Sequence, residues 1–82
     1  MKYLRVTKYT EKDVDRMKRR IDSFLHTKGI DEGTVVYWFE KPHAGGVKIK
    51  AKIHTNVTVY DFESEYRFAT KSLYNTHLFE TY

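Results

Sequence analysis

The sequence predicts an α+β fold: one small domain over residues 1–82 in the order β-α-β-β-α, with a three-stranded, mainly antiparallel sheet and helices on one face. Three observations lead there. Val14, Met17, Ile21, Phe24 and Leu25 recur at helical spacing. In "VKIKAKIHTNVTV", Val47, Ile49, Ala51 and Ile53 fall on one side and Lys48, Lys50, Lys52 and His54 on the other, the alternation of a strand with an oily face and a basic face. Ahead of it, the β-rich run "TVVYWFE" is separated by "KPHAGG", whose Pro42 and glycine pair suit a hairpin loop.

In chain order, "KYLRVTKY" alternates Leu4 and Val6 against Tyr3, Arg5 and Thr7, predicting a first strand over about residues 2 to 8. Thr10 with Asp13 resembles a capping box, and Tyr9 with Val14 a hydrophobic staple. Gly29 stands where a left-handed stop belongs, with Ile30 to close it, so the helix is predicted over 11 to 28. Residues 34–40 hold five consecutive apolar or aromatic side chains, as in a strand contacted on both faces, and are expected to pair with 47–53. The alternation beyond Ile53 outruns a usual strand, which predicts a bend near His54 to Asn56.

The tail "DFESEYRFATKSLYNTHLFETY" reads two ways. Phe62, Tyr66, Ala69 and Leu73 make a helical stripe, and Asp61, Glu63 and Glu65 suit the positive end of a helix, so a helix over 62 to 74 is expected. Phe62, Ser64, Tyr66 and Phe68 also fit a strand, which gives β-α-β-β-β instead. Leu78, Phe79 and Tyr82 make the last residues too apolar for a solvated end, so they are expected to dock on this domain or on a twin.

On this plan the first helix covers Leu4, Val6, Ile49, Ala51 and Ile53. The opposite face shows Arg5, Lys48, Lys50 and Lys52, joined by either Tyr37 and Phe39 or Val36 and Trp38, since one strand cannot bury both sets against the same helix.

Composition narrows the class. Hydrophobic residues make up 40% and aromatics 16%, enough for a small core. Cysteine is absent, which excludes disulfide and thiolate chemistry and favours a reducing, cytoplasmic setting. No apolar run suits a signal peptide or a membrane span. The net charge of +4 favours polyanionic partners.

Lysines interleaved with aromatic rings on an open sheet are the physical requirement for RNA or single-stranded nucleic acid, since rings stack on bases while cations meet phosphates. The predicted contacts are Arg5, Lys48, Lys50 and Lys52 on phosphates, with Tyr37, Trp38 or Phe39 stacking and His54 on the same nucleic-acid-binding face. Arg16 and Arg20, in "RMKRR", extend the track on the helix and share a face with Lys12. The glycine-aromatic motif of RNP-type sheets is missing. "KPHAGG" lacks the pattern of a phosphate loop.

His26, His43, His54 and His77 are scattered and no cysteine is present, so neither a metal site nor a cofactor is expected. The paired acids Asp13/Asp15 and Glu63/Glu65 would point apart on a helix, so no catalytic residue is assigned and the chain is not expected to be an enzyme. Small, basic, cysteine-free, aromatic-rich chains look like bacteriophage accessory proteins, which bind and block a host enzyme, toxin or nucleic acid. The alternative function is a protein-binding inhibitor or adaptor that docks on an acidic partner without nucleic acid; the apolar tail leaves room for a homodimer.

Overall fold

The computed structural model describes residues 1–6 and 12–81. Its elements run β1 (Lys2–Arg5), α1 (Val14–Thr27), β2 (Thr34–His43), β3 (Gly46–His54), β4 (Val59–Arg67) and β5 (Ser72–Thr81). They form one five-stranded sheet in the order β1-β2-β3-β4-β5. β1 lies parallel to β2 through the crossover that contains α1, and the remaining neighbours are antiparallel. The helix covers one sheet face.

Two parts of the expected fold are corrected. The sheet has five strands rather than three, and the helix expected over 62 to 74 is the β4–β5 hairpin. Period two wins there because both faces of β4 have partners at that period. Phe62, Ser64 and Tyr66 turn inward and are buried. Between them Asp61, Glu63 and Glu65 turn outward, opposite Lys52, Lys50 and Lys48 of β3. A helix would keep the apolar stripe but lose that cross-strand charge register. The chain turns at Phe68 to Lys71, with Lys71 at φ 55° and its N–H on the Arg67 carbonyl.

Helix α1 ends as expected. Ile30 N–H donates to Leu25 O at 2.9 Å and Gly29 N–H to His26 O at 3.0 Å, a Schellman closure that needs the positive φ of Gly29. The start differs. Asp13 is the N-cap residue, yet its carboxylate makes no capping bond and instead accepts from the Tyr66 hydroxyl. The expected Thr10 and Tyr9 contributions lie outside the described residues, as do residues 7 and 8 of the expected first strand.

Met17, Ile21 and Leu25 pack down onto Val35, Tyr37, Phe39, Val47, Ile49, Ala51, Ile53, Phe62 and Tyr66. Burying each large aliphatic or aromatic side chain of this set stabilises the fold by roughly 1.5–3 kcal/mol before chain entropy is counted. β1 is a third correction. Tyr3 pairs with Val35 and faces the helix, so Leu4 and Val6 point to the open face and Arg5 leaves it. Parity alone decides this, because a one-residue offset exchanges the two faces of a strand.

The hairpin from β2 to β3 carries a bulge between Glu40 and His43, with Lys41 at φ 51° and Pro42 beside it. Proline is tolerated there because the ladder is already interrupted. Gly46 is demanded by space: a Cβ there would stand 2.2 Å from the Tyr66 carbonyl oxygen. The bend foreseen near His54 is the turn from Thr55 to Thr58. The Thr55 hydroxyl donates to Thr58 O and accepts from the N–H groups of Val57 and Thr58.

Candidate binding surface

With α1 on one side, no described element covers the other sheet face. Strand parity and register set its rows. One row reads Leu4, Val36, Lys52, Asp61, Phe79; the next reads Trp38, Lys50, Glu63, His77. Apolar side chains thus occupy the β1–β2 flank and the β5 flank, with cations and anions between. Leu4 is 46% exposed and Phe79 58%.

The structure answers which aromatics join the lysines. Tyr37 and Phe39 face the helix, 4% and 8% exposed, with their rings edge to face at 5.7 Å. Trp38 alone of the three is on the open face. Its indole N–H donates to Glu40 Oε2 at 2.8 Å, which holds the ring along its own strand. That bond is the main reason the Glu40 carboxyl lies below the usual range, with Lys50, Lys48 and Lys41 adding to it. Trp38, Lys50, Lys52, Asp61, Glu63 and Phe79 line a shallow concavity of about 310 Å³.

The lysine row is not a row of bare cations. Lys52 Nζ lies 2.6 Å from Asp61, Lys48 lies 3.4 Å from Glu63, and Lys50 bridges Glu40 at 3.7 Å and Glu63 at 3.8 Å. Along β2 to β4 up to the bulge, this face carries Lys48, Lys50, Lys52 and Arg67 against Glu40, Asp61, Glu63 and Glu65, so its charges cancel. Arg67 is further engaged, with its guanidinium 4.3 Å from the centre of the Tyr74 ring. The acids of β4 escaped sequence reasoning because the expected helix dispersed them. His54 closes β3 at the exposed margin, and Arg5, on the helix side, is separated from the row.

The positive excess lies elsewhere. Residues 12 to 28 hold six Lys and Arg against three Asp, which is +3 of the chain's +4. Lys18 and Lys28 lie over the Tyr3 and Phe24 rings. Arg16 and Arg20 stand with Arg19 and Ser23 around a concavity of about 300 Å³ on the outer helix surface.

One catalytic-looking grouping also needs weighing. Ser23, His26 and Asp31 line a single depression with Asp22, and His26 Nδ1 lies 2.6 Å from Asp31 Oδ1. Both members of that ion pair are well exposed, and no hydrogen bond joins Ser23 to His26. The pair lies at the C-terminal end of the helix, where a protonated imidazole also suits the dipole. Among the described residues no three His, Asp or Glu side chains gather as a metal site, and no helix is long and apolar enough to cross a membrane.

No family model, curated protein or solved structure matches this chain.

Proposed function

We propose that the chain is a non-enzymatic binding module that docks a protein partner through its open sheet face, with Trp38 as the central anchor. The observation that carries this is the pair of rings, Trp38 and Phe79, on either side of a charge-balanced floor. Tryptophan is the residue type most enriched where interface energy concentrates, and well-packed surroundings that exclude water strengthen it. A ring already fixed by Glu40 loses little freedom on binding. Isolated exposed apolar side chains need no explanation, but Leu4, Val36 and Trp38 lie on adjacent strands and make a continuous flank.

The charge pattern also selects the partner. A phosphate approaching Lys50 meets two carboxylates within 4 Å of the same ammonium, so the sheet face gives nucleic acid a poor footing. A uniformly acidic protein surface meets the same repulsion. The face instead suits a protein surface of mixed charge with an apolar cleft for the indole. An inhibitor or adaptor of a host enzyme or toxin needs nothing beyond such occupancy.

The test is purification from nuclease-treated lysate, beside the double variant Trp38→Ala/Phe79→Ala. One defined polypeptide at fixed stoichiometry, lost with the double variant, is the expected result. Twice the chain mass by light scattering, lost in the same variant, would identify the partner as a second copy. A partner that survives the double variant, or bare monomer throughout, overturns the proposal.

A further inference from the structure

We infer a second binding surface, for the sugar–phosphate backbone of a single-stranded nucleic acid, on the outer face of α1 at Arg16, Arg19, Arg20 and Ser23. Three features set this cluster apart from an ordinary solvated helix. Arg16 and Arg19 have no acidic partner within ion-pair distance among the described residues, whereas each lysine of β3 has one. Arg20 is held: its Nε donates to the Lys71 carbonyl at 3.1 Å, so the β4–β5 turn ties this side chain down and leaves its terminal N–H groups out of that bond. Arg16, Arg19, Arg20 and Ser23 line one concavity, since positions i, i+3, i+4 and i+7 share one face of a helix.

The chemistry favours phosphate, because a guanidinium presents a planar fork that matches phosphate oxygens in pairs. The geometry favours a chain of phosphates. Arg16 and Arg20 stand about 6 Å apart along the helix axis, so the three forks exceed what one phosphate needs and reach two. A membrane surface is the weaker occupant, because the apolar stripe of this helix, Met17, Ile21 and Leu25, is spent on the core and leaves nothing to insert between lipids. This surface lies on the layer opposite the one that carries Trp38, so the two sites act independently.

The experiment is fluorescence anisotropy with a labelled 20-nucleotide poly-uridine strand, titrated at several salt concentrations. The variants are Arg16→Gln/Arg19→Gln, which leaves the Arg20 anchor intact, and the triple variant with Arg20→Gln. Each lost contact should flatten d log K/d log[salt] by about 0.7, giving about 1.4 units for the double and about two for the triple variant. Replacing the three arginines with lysine should retain the slope, since the count of charges is kept. Lys48→Gln/Lys50→Gln/Lys52→Gln should leave the slope within about half a unit of the parent, less than one contact's worth. Absence of binding by the parent protein at low salt overturns the inference, as does an unchanged slope in the double variant. So does a loss that follows the β3 lysines instead. Binding to vesicles of phosphatidylserine and phosphatidylcholine without binding to the strand overturns it in favour of a lipid surface.

Discussion

The Tyr66 hydroxyl donates to the Asp13 carboxylate across 3.0 Å, joining the middle of the sheet to the start of the helix over 53 residues of sequence. A second tyrosine does the same further along: Tyr3 Oη donates to Asp22 and to the Lys18 carbonyl. The two bonds tie the start and the middle of the helix to the sheet. Both phenols are pushed above the ordinary tyrosine value, first by burial and then by the neighbouring carboxylate.

Tyr66→Phe removes the first of these bonds without opening a cavity. A hydrogen bond to a charged group contributes about 1.5–3 kcal/mol when sequestered, and the partial exposure of Asp13 puts the expected cost near the lower end. Urea unfolding should show this as a lower midpoint with an unchanged slope. In an Asp13→Ala background the same substitution should cost little, because the partner is already gone. Full additivity of the two changes would show that the bond contributes nothing.

Ile21→Asp places a carboxylate at a position 2% exposed, against the sheet core. An unpaired charge there costs several kcal/mol, comparable with the stability of so small a fold. Arg19→Asp, two residues away on the solvent side, should be mild. Similar thermal midpoints for the two variants would contradict the helix orientation.

Deleting residues 76–82 removes the β5 partners of Val59 to Glu63 and uncovers Phe62, whose neighbour on β5 is Leu78. It also takes away Thr76, whose hydroxyl bonds the buried Ser64 at 2.8 Å, and leaves Ser64 only its bond to the Tyr74 carbonyl. The melting temperature should therefore fall by well over the few degrees expected of a frayed end. Truncation without effect on melting would mean that β5 adds no stability beyond Asn75.

How much of this was legible beforehand follows from which signals were local. The helix and its stop were readable because the stripe from Val14 to Leu25 and the pair Gly29 and Ile30 lie within one segment. The β2–β3 hairpin was readable for the same reason. The β4–β5 hairpin was not, because Phe62, Tyr66, Ala69 and Leu73 satisfy a helical period; what decides against it is the match of Asp61, Glu63 and Glu65 to lysines 9 to 17 residues earlier, which exists only once β3 and β4 are paired. The same hidden register changed the meaning of the lysine row from bare cations to one side of an ion-pair ladder. Five apolar residues in a row concealed the choice between Trp38 and its neighbours, and only the parity of β2 resolved it.

His26 supplies the last prediction, on pH. Its hydrogen bond to Asp31, reinforced by the carboxylate charge, raises the imidazole above its ordinary value. A raised folded value means that protonation and folding favour each other. The pair's contribution is therefore fully present below the unfolded value of about 6.5 and is lost as pH rises through the higher folded value. Asp31→Asn should return the His26 titration, followed by its ring resonances in NMR, to the ordinary range. The difference in melting temperature between parent and variant should be larger at pH 6 than at pH 9. Because the side chains are exposed the effect will be small and will shrink with added salt. A His26 titration that is the same in parent and variant would show that the 2.6 Å contact does not persist in solution.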